Sequence, residues 1–222
     1  ANPMSNDALW KSLKFAVEFT DEAGNIIKEP DLTQYVKDPN AVLYFGHQGP
    51  YWNNPELIAL IKEHKLRPDV TILPAGTIGE EFVRTEGHHH LSGLPEVYET
   101  NYGRNGYFLF KTTYEDSEDI EDVIFVFAEV GDHVLFPPGY QHISINIGDE
   151  PFVMTDWVST EANSNFVYIK RHNGAPYWVV KGKDGKPEFV RNTRYKGKVP
   201  PLRLVRPVAE IPEFGLKKNE PM

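Results

Sequence analysis

Three of the chain's eight histidines stand in a row at His88-His89-His90, followed closely by Glu96 and Tyr98; another, His142, comes just after the turn sequence Pro137-Pro138-Gly139. On a strand, side chains two apart share a face. His88 and His90 can therefore point one way while His89 points the other, and Glu96 and Tyr98 can share a face of the next strand. A returning strand that starts near His142 can bring a third imidazole to meet the first two. Three neutral imidazoles and one carboxylate make a thiolate-free donor set that suits Mn, Fe, Ni, Co or Zn. The remaining histidines, His47, His64, His133 and His172, read as ordinary surface or core residues, and His89 as a bystander.

The elements that must hold these residues are mostly strands and turns. A chain of 222 residues with 40% hydrophobic content can bury one sizeable core and fits one domain better than two. Its 17 glycines, 18 prolines and 13% aromatic content favour an all-β barrel or sandwich. Near the start, Asn6-Asp7 can cap a short helix carrying Leu9, Trp10 and Leu13, before a strand alternation through Phe15, Val17 and Phe19. Residues 21–25 read as a turn after which Ile26-Ile27 pairs back, and residues 41–45 as a strand before a Gly/Pro-rich turn over 46–50. Asn54-Pro55, with Glu56 early and Lys62 and Lys65 late, predicts a helix carrying Leu57, Ile58, Leu60 and Ile61 on one side. Further strands are expected at 107–110, 123–127, 134–136, 144–147 and 152–154, with the acidic stretch 114–122 as a solvated hairpin loop. Residues 177–181 and 188–191 read as a hairpin closed at Asp184-Gly185. The proline-rich stretch 198–222 should run extended over the surface or onto a neighbouring subunit.

Composition excludes several classes. A net charge of −9, a pI of about 5.4 and the lack of a basic run argue against nucleic-acid or anionic-membrane partners. The absence of cysteine rules out disulfides, thiolate metal sites and a cysteine nucleophile, and no apolar run is long enough to span a bilayer. The expectation is a soluble, cytoplasmic protein whose first residues, Ala1-Asn2-Pro3-Met4, are a processed end with no leader left to read.

Two motifs narrow this further. Gly131, Pro137, Gly139, His142 and Asn146 fill the spacing Gly-x5-Pro-x-Gly-x2-His-x3-Asn, and His88, His90, Glu96 and Gly103 follow the order His-x-His, Glu, x6-Gly. Both resemble the paired motifs of the cupin family. The gap of five residues between His90 and Glu96 is longer than in most cupins, and Phe82 stands where a glycine is usual. The resemblance implies a double-stranded β-helix, or jelly-roll barrel, in a single domain. Its core would cover about residues 40–160, with N-terminal decoration over 1–39 and a C-terminal hairpin and tail over 161–222.

Within that family, one branch is closest in pattern. The runs Thr71-x4-Gly76, Phe82-x2-Thr85-x-Gly87-His88-x-His90, Glu96-x-Tyr98 and His142-x3-Asn146-x-Gly148-Asp149-Glu150-Pro151-Phe152 resemble the cupin-type phosphoglucose isomerases of archaea and some bacteria. The likeness implies metal ligands at His88, His90, Glu96 and His142. It also implies a phosphate groove at Tyr44, Thr71, Thr85 and Gly87, an active-site tyrosine at Tyr98, and a homodimer. The implied activity is metal-dependent interconversion of glucose 6-phosphate and fructose 6-phosphate. A cation such as Fe, Mn, Ni or Zn would polarise the sugar's O1 and O2 while Glu96 moves a proton through an enediol. The sequence departs from this branch at Ala162-Asn163-Ser164-Asn165-Phe166, which aligns with a family stretch containing a histidine and a tyrosine that face the sugar. Isomerisation or epimerisation of another sugar, or sugar and metal binding without turnover, are the alternatives.

Overall fold

In the computed structural model, residues 55–222 are described, together with short strands at Phe19–Thr20, Ile26–Ile27 and Phe45–Gln48. The expected helix around Leu9 to Leu13, the strand residues before Phe19, and Tyr44 lie outside the described residues. The first two short strands pair antiparallel, as expected of Ile26-Ile27. The expected turn beginning at Gly46 is instead a strand, β1 (Phe45–Gln48), paired antiparallel with β2 (Leu66–Leu73). Gly46 lies opposite Thr71, and a Cβ on it would sit 3.9 Å from the Thr71 hydroxyl. That is ordinary van der Waals distance, so the pairing leaves room for a side chain, and an edge strand accepts a glycine there. Between them, α1 (Pro55–Glu63) has its acidic residue in the first turn and Lys62 in the last, as the helix dipole favours; none of its residues is buried.

Two sheets form the barrel. The first is ordered β7 (His133–Phe136), β4 (Glu96–Tyr102), β9 (Phe152–Ser159), β2, β1. The second is ordered β8 (Gln141–Asn146), β5 (Asn105–Thr112), β6 (Ile120–Ala128), β13 (Arg203–Val205). Their facing sides enclose one core with Leu73, Tyr98, Tyr107, Leu109, Val126, Phe136 and Met154. The second sheet is covered on its back as well, which explains why β5 is an unbroken apolar run. Tyr107 and Leu109 enter the inner core, while Phe108 and Phe110 enter a second one with Ile143, Ile145, Tyr168, Val179 and Tyr195.

That outer layer is built from α2 (Val167–His172) and the expected hairpin, β11 (Tyr177–Lys181) paired antiparallel with β12 (Pro187–Arg191). Two expectations are corrected. The acidic loop ends earlier than residue 122, because β6 begins at Ile120, and it is docked: Ser117 is buried and the Tyr168 hydroxyl donates to its carbonyl at 2.6 Å. The C-terminal stretch is not simply extended over the surface. Arg203–Val205 pairs parallel with Ile124–Val126 and completes the second sheet, because β6 otherwise offers an unpaired edge. Among the described residues, no helix is long and apolar enough to cross a membrane.

Candidate metal centre

Local pattern places each donor. On β8, Ile143 and Ile145 point into the outer core, so His142 and Ser144, on the alternate positions, point inward. On β4, Glu96 shares a face with Tyr98, whose ring stacks on Phe136 with centroids 4.4 Å apart. The short strand β3 (His89–His90) follows His88, which makes a two-way backbone bridge with His142. Gly87 makes that approach possible. At φ +84, a Cβ there would fall 2.4 Å from Ile143 Cγ1 and 2.8 Å from the His142 carbonyl.

One donor atom from each of His88, His90, Glu96 and His142 lies within 4.8 Å of all the others. His88 Nε2 is 3.2 Å from His90 Nε2, and Glu96 Oε2 is 3.1 Å from His142 Nε2 and 3.5 Å from His90 Nε2. Donors held about 2 Å from a shared cation stand roughly 3–4 Å from one another, so the spacing fits a metal. The bonding inventory fits as well. Glu96 Oε2 and both ring nitrogens of His142 are buried without a partner in hydrogen-bond geometry. His90 Nδ1 faces the Leu94 carbonyl at 3.2 Å, which fixes its proton there and leaves Nε2 as a lone-pair donor.

Electrostatics favour the ligating forms. Burial, reinforced by His142, pushes His88 well below the usual imidazole range, and burial also lowers His90 despite Glu96 beside it. Burial alone would raise Glu96, but His142 and then His88 outweigh it and hold the carboxyl at about 2. Burial, with Glu96 and Asp156 nearby, pushes the Tyr98 hydroxyl well up, so it is a hydrogen-bond donor rather than a base.

The other predicted site residues are not all gathered here. His89 points away from the cluster and is half-buried. Thr71 is on β2, on the face it shares with Leu73, opposite Met154. Thr85 is tied to β8: its hydroxyl oxygen accepts from the Ser144 amide at 3.1 Å, leaving the hydroxyl proton to donate. His64 is exposed, while His133 and His172 are buried outside the cluster. One neighbour escaped the motif reading. Asp156, fully inward on β9, interacts with Glu96, and burial followed by the Glu96 charge pushes its carboxyl well up. Its signal was present as an acid on the apolar face of the alternation Phe152, Met154, Val158. Phe166 lies with its ring 5.1 Å from His88, and β10 (Ser164–Asn165) pairs directly with His90 and His89. The segment that departs from the family pattern therefore borders the cluster.

A jelly-roll barrel carrying three inward histidines and a glutamate defines the cupin class. The profile of the family described as "Glucose-6-phosphate isomerase (GPI)" matches residues 28–197, and the chain belongs to that family. It is similar to the glucose-6-phosphate isomerase of Pyrococcus furiosus, 32% identical over 136 residues, covering 61% of this chain and 67% of that protein. The corresponding enzyme of Pyrococcus abyssi is 27% identical over 187 residues, covering 82% and 88% of the two chains. Among solved structures, the vicilin of Solanum melongena matches 57% of this chain and 31% of its own at 11% identity, with a TM-score of 0.41. That distance is too great to bear on function.

Proposed function

We propose that the protein interconverts glucose 6-phosphate and fructose 6-phosphate with one divalent transition metal held by His88, His90, Glu96 and His142. The observation that carries this reading is the cluster of four donor groups, those of Glu96 and His142 buried without a hydrogen-bond partner, inside a barrel of the glucose-6-phosphate isomerase family. When bound, the cation supplies Lewis-acid polarisation of the sugar's carbonyl and hydroxyl oxygens. The protein's own groups do the rest. Glu96, held ionised, accepts the proton from one of the carbons C1 and C2 and returns it to the other. A carboxylate with so low a pKa is a weak base, and a short fixed distance to the carbon compensates. Tyr98, kept neutral by burial on the same strand face, donates a hydrogen bond to oxygen charge that develops in the enediol. Asp156 shares the buried pocket with Glu96 and limits its movement.

For the phosphate, Thr85 has a free hydroxyl proton and Thr71 an inward hydroxyl; Tyr44 and the Gly87 amide complete the proposed groove. A homodimer belongs to the same reading, checked by light scattering on the purified protein. A second reading, isomerisation of another sugar phosphate, is favoured by one feature: Ser164 and Phe166 stand beside His90 and His88 in place of the family's histidine and tyrosine. The test is fructose 6-phosphate turnover coupled to a glucose-6-phosphate dehydrogenase, before and after chelation and after return of Mn, Fe, Ni or Zn. Activity lost on chelation and restored by one of these supports the proposal. Full activity in protein shown by elemental analysis to be metal-free refutes it, and turnover of a different sugar phosphate alone selects the second reading.

A further inference from the structure

A second cleft, of about 420 Å³, lies away from the metal cluster and is lined by Glu118, Arg171, His172, Thr193, Arg194 and Lys196. Arg171 and His172 end α2, residues 193–196 follow β12, and Glu118 comes from the loop between β5 and β6. The lining sets three permanent cations against one carboxylate in a chain whose net charge is −9. That carboxylate is already engaged. Glu118 Oε2 lies 3.1 Å from His172 Nε2, and Glu118 Oε1 is 3.7 Å from Arg171, which also has Asp116 at 3.9 Å.

Arg194 is different. No ion pair engages it among the described residues, and its Nε is buried without a hydrogen-bond partner. A buried guanidinium N–H without an acceptor is costly, and native proteins satisfy such groups with protein, water or ligand. The cleft is also preformed. Tyr195 stacks on His172 with ring centroids 4.2 Å apart and donates to the Gly174 carbonyl at 2.8 Å, while Lys196 Nζ donates to the Thr193 carbonyl at 2.7 Å. Guanidinium forks with an ammonium and a hydroxyl beside them match the several oxygens of a phosphate group.

We propose that this cleft binds a small phosphorylated anion at a site separate from the metal cluster. Arg194 is the primary contact, with Arg171, Lys196 and the Thr193 hydroxyl around it. The position gives such a ligand a route to the cluster. α2 ends in the cleft and begins directly after Phe166, whose ring leans on His88, so an anion gripping Arg171 holds the far end of the same helix.

The experiment is calorimetric titration of the metal-loaded protein with inorganic phosphate and, separately, with 3-phosphoglycerate. It is carried out on the wild type, R194Q and K196E, with KM for fructose 6-phosphate measured on each. A charge-assisted hydrogen bond predicts affinity weaker by about tenfold or more in R194Q. K196E, at an exposed position, should also weaken binding, and KM should stay at the wild-type value in both. Tighter binding of the ester than of phosphate assigns the site to phosphorylated metabolites; the reverse assigns it to the free ion. No binding by the wild type, or wild-type affinity in both variants, overturns the proposal. A rise in KM that parallels the loss of binding also overturns it, because it would place these residues in the substrate's own site. The calorimetric arm stands whether or not the isomerase reading holds.

Discussion

Replacing Gly87 by alanine separates two roles for this residue. If its amide only donates to a phosphate, alanine keeps the N–H and should alter little except substrate binding. The structure assigns it a packing role as well. The added methyl would lie 2.4 Å from Ile143 Cγ1, 2.8 Å from the His142 carbonyl and 3.0 Å from Ile169 Cδ1, on a backbone with φ at +84. A left-handed conformation costs a non-glycine residue roughly 1–3 kcal/mol, and overpacking a filled site costs roughly another 1–3 kcal/mol. Relief can come only by pushing β8 away from residues 87–88, since the nearest backbone atom is the His142 carbonyl. The expected result is a loss of about 2–6 kcal/mol in urea denaturation, with a drop in bound metal because His142 leaves the cluster. Elemental analysis of the folded protein at low temperature reads the second effect. A variant with the wild-type denaturation midpoint and full metal content would refute the packing argument and leave only the amide.

Alanine at His88, His90 or His142 should each lower metal occupancy, while His89→Ala should not; equal loss at His89 would mean that the strand faces are misassigned. Thr85→Val should raise KM for fructose 6-phosphate about tenfold or more and, by orphaning the Ser144 amide, also lower stability, whereas Thr85→Ser should restore both. A serine variant with a KM as poor as that of valine would remove the hydroxyl from phosphate binding. Metal-loaded Glu96→Gln should lose turnover by orders of magnitude, and wild-type turnover in deuterium oxide should place some deuterium at C1 or C2 by NMR. Substantial activity in the variant together with no deuterium in wild-type product would rule out Glu96 as the base and favour a hydride shift. Burial would raise Asp122, but Arg203 and Tyr140 outweigh it and lower its pKa, so its contribution is present above the ordinary aspartate range and lost as pH falls through its depressed value. Protection of the Leu204 and Val205 amides against hydrogen exchange, taken relative to the intrinsic rate at each pH, should therefore fall in acid and in Asp122→Asn; unchanged protection in both would show that the ion pair does not anchor β13.

Much of the cluster was legible because strand chemistry is local. The two-residue period places His88 and His90 together without knowledge of their partners, and the turn Pro137-Pro138-Gly139 announces the strand carrying His142. Asn146 shows what a motif letter can conceal. Its side-chain amide donates to the carbonyls of Leu73, Pro74 and Glu150 and its oxygen accepts from the Gly148 amide, so it ties loops together and is not one of the four clustered donors. What was not legible depends on contacts distant in sequence. The docking of the acidic loop needs Tyr168, the strand character of Gly46 needs the open edge of β2, and the closeness of Phe166 to His88 needs the pairing of β10 with β3. None of these has a local periodicity.

The parallel strand β13 has a consequence for the order in which the barrel can be made. It joins residues 203–205 to residues 124–126, so during synthesis β6 emerges long before its neighbour exists. Until then, Ile124, Phe125 and Val126 form a hydrogen-bonding edge with apolar side chains, a template for pairing with other chains. A nascent or truncated chain ending before residue 203 should therefore be the aggregation-prone species, even though every proposed metal ligand has already been made.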